Sequence, residues 1–259
     1  MPSDAAEIGL VFVVGCPRSG TTLVGEVLAV NPSALNGEES QILYLMNTWR
    51  AMLHRASPLT EPFIAAVTAL VKETTVEETK ARGKSIYVDH SPWHALCLPE
   101  VWDIFPHARV VHVVRNPADV VDSLRRSYLA GYRWAGATTR DRVQLWMRFV
   151  DHVESHRADP RLVEIRYEDI AADPRESLRR LVASIGWSWD ERFLLPLATL
   201  HSGWTSSREP IGRVDVAGQL SLKRPDAPRP PSKRVASALA EIAAEQLARY
   251  GYAPSTTDT

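Results

Sequence analysis

One segment limits this chain more than any other: Gly15-Cys-Pro-Arg-Ser-Gly-Thr-Thr22. Before it, Ile8–Val14 is an apolar run of the kind that forms a strand buried on both faces of a parallel sheet. After it, Leu23, Val27 and Leu28 fall at helical spacing, and Asn31-Pro32 ends the pattern. A glycine-rich turn between a buried strand and a helix aims successive backbone N–H groups at one point, at the positive end of the helix. Phosphate or sulfate oxygens suit that point, with hydroxyls from Thr21 and Thr22 as further donors. The plain alternative is an ordinary glycine turn with no ligand.

The rest of the chain continues the alternation. Strands are expected at Ser85–Val88, Arg109–Val114 and Leu162–Arg166. Helices are expected over residues 38–55, over 60–82 as one stretch or a pair, and over 96–105, 117–128, 140–156, 173–185 and 235–250. In the 38–55 helix, Ile42, Leu45, Met46 and Trp49 would form the inward stripe. Asn116-Pro117 and Asp173-Pro174 each read as an N-cap followed by proline at the first helical position. Residues 197–232 lose all periodicity and are read as an irregular loop. Alternating buried strands and helices give the fold class: α/β, with a central parallel β-sheet flanked by helices in one domain spanning 1–259, and tails at 1–7 and 253–259.

Composition removes several classes of function. The chain has 259 residues and a net charge of −1, so a strongly basic nucleic-acid protein is not expected, and an anion site must be a local cluster of cations. Two cysteines, Cys16 and Cys97, are too few for a disulfide framework or a four-cysteine zinc site. No stretch approaches the roughly 20 apolar residues of a membrane span. The N-terminal residues lack an apolar leader, which gives the expectation of a soluble, cytoplasmic protein.

The loop departs from that of ATP- and GTP-hydrolysing proteins. Thr21 stands where they carry lysine, and the loop's cation is Arg18. Their metal-holding aspartate at a strand end also has no counterpart, because the third strand ends in Arg115. Neutralisation by side-chain cations and amides, without a metal, is therefore expected. Arg115 would face the crevice at the carboxyl ends of the strands, and Ser123, two helical turns on, would reach the same place. Read plainly, the pair is a surface arginine capped by Asp119 and a helical serine. Beside the loop, it suggests one ligand with two separated anionic groups.

Together these residues resemble the sulfotransferases that use 3′-phosphoadenosine-5′-phosphosulfate (PAPS). Pro17-Arg-Ser-Gly-Thr-Thr22 resembles their 5′-phosphosulfate loop, Val110-Val-His-Val-Val-Arg-Asn-Pro117 with Ser123 their 3′-phosphate element, and Arg166-Tyr-Glu-Asp169 the segment whose tyrosine lies near the adenine. The resemblance covers residues 10–186 and departs after Leu197, where Arg213, Lys223 and Arg224 are candidates for a basic loop closing over the donor. It implies transfer of a sulfuryl group to a hydroxyl, or failing that an amine, of a small-molecule or conjugated acceptor, with release of adenosine 3′,5′-bisphosphate and no metal. Arg18, Ser19, Gly20, Thr21, Thr22, Arg115, Ser123 and Tyr167 would bind the donor, and Arg18 would also stabilise the transition state.

Two residues compete for the acceptor's proton. Glu38, in Gly37-Glu-Glu39, matches the proposed base of tyrosylprotein sulfotransferases, and burial would raise its carboxyl into a useful range. Its plain reading is helix N-terminal charge. His90, in Asp89-His-Ser-Pro92, matches the catalytic histidine of the cytosolic enzymes, and Asp89 need not orient it. Its plain reading is a strand-end cap. A small-metabolite kinase and an inactive nucleotide-binding protein are the competing functions. Trp93, Trp134 and Trp204, with Tyr128, Tyr132 and Arg133, are candidate walls of an acceptor pocket, while His112 and Met46 read as core, and His94, four residues after His90, finds no third ligand for a zinc site.

Overall fold

The computed structural model describes residues 8–53, 57–199, 212–214, 220–222 and 231–252. In chain order the elements are β1 (Gly9–Val14), α1 (Thr21–Ala29), β2 (Ala34–Asn36), α2 (Ile42–Met52), α3 (Thr60–Ala81), β3 (Ile86–Asp89), α4 (Leu98–Ile104), β4 (Arg109–Val114), α5 (Pro117–Leu129), α6 (Thr139–Glu154), β5 (Leu162–Arg166), α7 (Tyr167–Ala172), α8 (Pro174–Ser184), α9 (Leu195–Thr199), β6 (Gly212–Val214), β7 (Leu220–Leu222), α10 (Lys233–Ile242) and α11 (Ala244–Arg249). Strands one to five form a parallel sheet in the order β2-β3-β1-β4-β5. β6 and β7 make a separate antiparallel pair.

The uninterrupted apolar sequence of β1 reflects its central place. Leu10, Phe12 and Val14 face one core with Trp102, Phe105, Trp146 and Phe149 from α4, its C-terminal end and α6. Val11 and Val13 face the other, with Leu23, Val27 and Leu28 of α1 and Leu178 and Val182 of α8. Both faces of a parallel sheet are covered, so no position in its middle strand gains from a polar side chain. Beside it, β4 and β5 place His112 opposite Glu164, with Nδ1 3.1 Å from Oε2. Tyr250 donates to the same carboxylate at 3.2 Å and ties the end of α11 to the sheet.

Several expected boundaries move for identifiable reasons. The helix expected from residue 38 begins at Ile42, because Glu38 and Gln41 both hold positive φ, 53° and 54°, which a helix cannot contain. Its expected inward stripe faces out: Ile42, Leu45 and Trp49 are exposed, Met46 is half-buried, and Leu43 is the buried residue of α2. Residues 60–81 are one helix, not a pair. The closing helix is broken at Ala243 into α10 and α11. The short edge strand β2 has no counterpart among the expected elements. The tails at 1–7 and 253–259, Trp204, Lys223 and Arg224 lie outside the described residues, and Arg213 falls in β6. Among the described residues, no helix is long and apolar enough to cross a membrane.

Candidate functional site

β1 and β4 are parallel neighbours, so the segments leaving their carboxyl ends emerge on the same edge of the sheet. Residues 15–20 leave β1 and turn into α1, whose first residues carry no side-chain cap and no acidic group. The N–H groups of that first turn are therefore left without a side-chain acceptor at the carboxyl edge. Arg18 takes the left-handed conformation, φ 78°, which costs a non-glycine residue energy and directs its side chain across the edge. There Arg18 Nε donates to Ser123 Oγ at 3.0 Å, a bond between residues 105 apart in sequence. Arg115 stands at the end of β4, its carbonyl accepting from Trp146 Nε1 at 3.3 Å. Its guanidinium lies 4.2 Å from the centre of the Tyr167 ring. Tyr167 packs in turn on Gly20, where a Cβ would come within 2.6 Å of the ring. Gly20 holds φ 105°, so both its conformation and its lack of a side chain are used.

The chemistry gathered at this edge suits an anion. The Ser19 hydroxyl is buried and has no hydrogen-bond partner among the described residues, and Arg115 Nε is likewise without one. Burial pushes the Arg18 guanidinium below its ordinary basicity, and the neighbouring Arg115 and Arg126 push the same way. A desolvated cation beside two others gains from a doubly charged partner. Cys16 takes no part as a nucleophile: it is fully buried, and burial drives its thiol far above the usual range. Among the described residues, no group of three or more His, Cys, Asp or Glu side chains is placed to hold a metal ion.

His90 lies beside this loop, nearly enclosed. Its backbone N–H donates to the Glu38 carbonyl at 3.0 Å, so the two proton-transfer candidates are joined through the main chain. Its ring packs on Gly25 of α1, where a Cβ would fall 2.4 Å from ring atoms. Gly25→Ala is accordingly expected to cost about 1–3 kcal/mol, read as a lowered Tm, because neither ring nor helix has room to give. Glu26 Oε1 is 3.7 Å from His90 Nε2, and Glu39 Oε1 is 4.0 Å from Nδ1. Thr22 donates to that same Glu39 oxygen at 3.0 Å. Asp89 points away, as the alternation of a strand requires, and serves Ser40, Ser91 and His94 instead.

Glu38 is exposed, which corrects the expectation of a buried carboxyl there. Its backbone is nonetheless fixed, φ 53° with N–H donating to Asn36 Oδ1 at 3.0 Å. Glu26 is absent from the residues that sequence reasoning picks out. The available signal is a single acid within the otherwise uncharged helix TTLVGEVLA. Beyond the histidine, Trp93 contacts Tyr44 and Phe149, both at 5.2 Å between ring centres, and Trp134 at 5.9 Å. Trp134 and Tyr132 remain partly open to solvent, and Arg133 donates to the Tyr128 hydroxyl at 2.8 Å.

Comparison with known proteins bears on the whole of this edge. A putative protein-tyrosine sulfotransferase of Caenorhabditis briggsae is 24% identical over 197 residues, covering 71% of this chain and 68% of that protein. Protein-tyrosine sulfotransferase 1 of Danio rerio is 26% identical over 232 residues, 84% of this chain and 60% of its own length. The chain thus spans roughly three fifths to two thirds of these relatives. A solved sulfotransferase domain from the curacin biosynthetic pathway superposes with a TM-score of 0.57 at 18% identity, over 90% of this chain and 97% of that domain, which shows a shared fold. The family model described as "Sulfotransferase family" matches residues 11–191, from the middle of β1 past α8, and by that match the chain belongs to the sulfotransferase family.

Proposed function

We propose that this chain transfers a sulfuryl group from PAPS to a hydroxyl acceptor and releases adenosine 3′,5′-bisphosphate. The observation that carries the reading is the 3.0 Å bond from Arg18 to Ser123, which joins the two anion-seeking elements into one site. The 5′-phosphosulfate belongs on the loop Arg18–Thr22, and the 3′-phosphate on Arg115 and Ser123. Tyr167, wedged between Arg115 and Gly20, belongs to the same wall and borders the adenine.

In the transfer, an acceptor oxygen bonds to sulfur while the bond from sulfur to the bridging phosphate oxygen breaks. The electron pair of that bond leaves with the phosphate. Negative charge therefore builds beside Arg18 and the loop amides, and donors held in place by the fold lower the barrier, with the Thr22 hydroxyl turning from Glu39 to the ligand. The acceptor's proton passes to Glu38 or His90. The aromatic group Tyr44, Trp93, Tyr132 and Trp134 forms the acceptor wall, which suits a ring-bearing or otherwise apolar hydroxyl compound.

Titration calorimetry with adenosine 3′,5′-bisphosphate tests the donor site, and a screen of phenols, alcohols and amines with sulfur-labelled PAPS tests the transfer. Micromolar-range binding without added magnesium and label on a hydroxyl compound are the expected results. Failure to bind the bisphosphate, together with magnesium-dependent ATP consumption, would replace this reading with a kinase.

A further inference from the structure

We propose that Glu26 is a positioning residue for His90: it keeps the proton on Nε2 and so leaves Nδ1 as the nitrogen that works on the substrate. This rests on the sulfotransferase reading of the site and adds to it a residue that none of the anion-binding elements contains.

The ring cannot choose its own orientation. The side chain is 4% exposed. Gly25 presses on its face, and the backbone N–H of His90 is held by the Glu38 carbonyl. Neither ring nitrogen makes a hydrogen bond among the described residues, so the nearest charges decide which one carries the proton. On the α1 side that charge is Glu26, 3.7 Å from Nε2. Its carboxylate is anchored, because the same oxygen accepts from Asn36 Nδ2 at 3.0 Å. On the other side Glu39 lies 4.0 Å from Nδ1 and accepts from Thr22 of the anion loop; its side chain is 41% exposed against 33% for Glu26. Asp89, the remaining acid nearby, is occupied by Ser40, Ser91 and His94. Arg18 faces Glu39.

The two carboxylates therefore differ in kind. Glu26 stays where it is when a donor molecule enters. Glu39 marks the place the donor's anionic group would take, because Thr22 of the anion loop donates to it. An anchored carboxylate at one imidazole nitrogen fixes the tautomer and frees the other nitrogen to accept a proton. Nδ1, which carries no proton, is then the atom that takes the acceptor's proton.

Two measurements on the full chain decide this. Long-range proton–nitrogen spectra of histidine-labelled protein, with His90 assigned by its loss in His90→Gln, should show the proton on Nε2. Glu26→Leu should convert that signal to a tautomer mixture. In the transfer assay, Glu26→Leu should lower kcat roughly tenfold to a hundredfold with the affinity for adenosine 3′,5′-bisphosphate little changed. In a His90→Gln background the same change should cost less than about threefold, since the two residues act as one unit. Glu26→Gln keeps an oxygen that can accept from Nε2 and Asn36, and should recover most of the loss. An equal cost of Glu26→Leu in both backgrounds, or a His90 spectrum indifferent to it, overturns the proposal. Absence of bisphosphate binding by the unaltered protein would instead overturn the donor reading, and the spectra would still decide the role of Glu26.

Discussion

Arg115→Ala is expected to weaken binding of adenosine 3′,5′-bisphosphate at least a hundredfold while leaving the acceptor KM within a few-fold. The guanidinium is planar and forked, so it meets a phosphate through two parallel charge-assisted bonds. Losing both costs about 3 kcal/mol or more, which corresponds to a hundredfold or greater. The surroundings amplify the loss. Arg115 Nε has no hydrogen-bond partner among the described residues, and its ion pair with Asp119 is a loose 3.9 Å. The side chain also roofs Tyr167, so truncation frees the tyrosine ring as well as removing the charge. Arg115→Lys should recover only part of the affinity, because an ammonium supplies the charge without the fork. Calorimetry on the three proteins, with acceptor kinetics alongside, checks this. Equal bisphosphate affinity in the alanine variant and the unaltered protein would place the 3′-phosphate elsewhere.

That prediction is accessible from sequence because Arg115 comes directly after a run that can be nothing but a buried strand. The carboxyl end of a parallel strand is a place defined by topology, so naming the strand locates the arginine. The same holds for Gly15–Thr22 after β1, and for Tyr167 directly after β5. What the residues could not reveal are contacts between elements whose relative position depends on strand order. Glu26 looks like any helical glutamate until β3 is placed beside β1 and brings His90 against α1. Likewise β2 has three residues, too few for a period to show, yet its Asn36 anchors Glu26 and its neighbour Glu38. Nearness to the crevice suggests burial for Glu38, but at the rim of a sheet nearness does not imply enclosure. The outward stripe of α2 failed for a related reason: helical period says that one face is apolar, not that a core is waiting for it.

The other large effect concerns stability. Asp89→Ala is expected to destabilise the fold by about 2–4 kcal/mol, because it leaves buried polar groups that this carboxylate serves without a partner. Asp89 is 1% exposed, and its carboxylate accepts from Ser40 Oγ at 2.5 Å and from the Ser91 N–H at 2.8 Å. It also lies 3.3 Å from Nδ1 of the fully buried His94. Burial alone would raise this carboxyl, but His94, Ser40 and Ser91 outweigh it and hold the group below its ordinary value. Truncation leaves an imidazole and a hydroxyl inside the protein with nothing to meet. It also loosens the turn that carries the site, since Ser91 Oγ accepts from the Gln41 N–H at 2.8 Å and Ser40 is two residues from Glu38. Asp89→Asn, which keeps the shape and removes the charge, separates the two contributions through pH. A carboxyl lowered in the folded state stabilises above its unfolded value and loses that contribution as pH falls through the folded one. The Tm gap between the unaltered protein and Asp89→Asn should therefore hold constant from about pH 5 to 8 and narrow below about pH 4. A gap that instead widens toward acid would mean that Asp89 is protonated in the folded protein, and that His94 and Ser40 are held by something other than its charge.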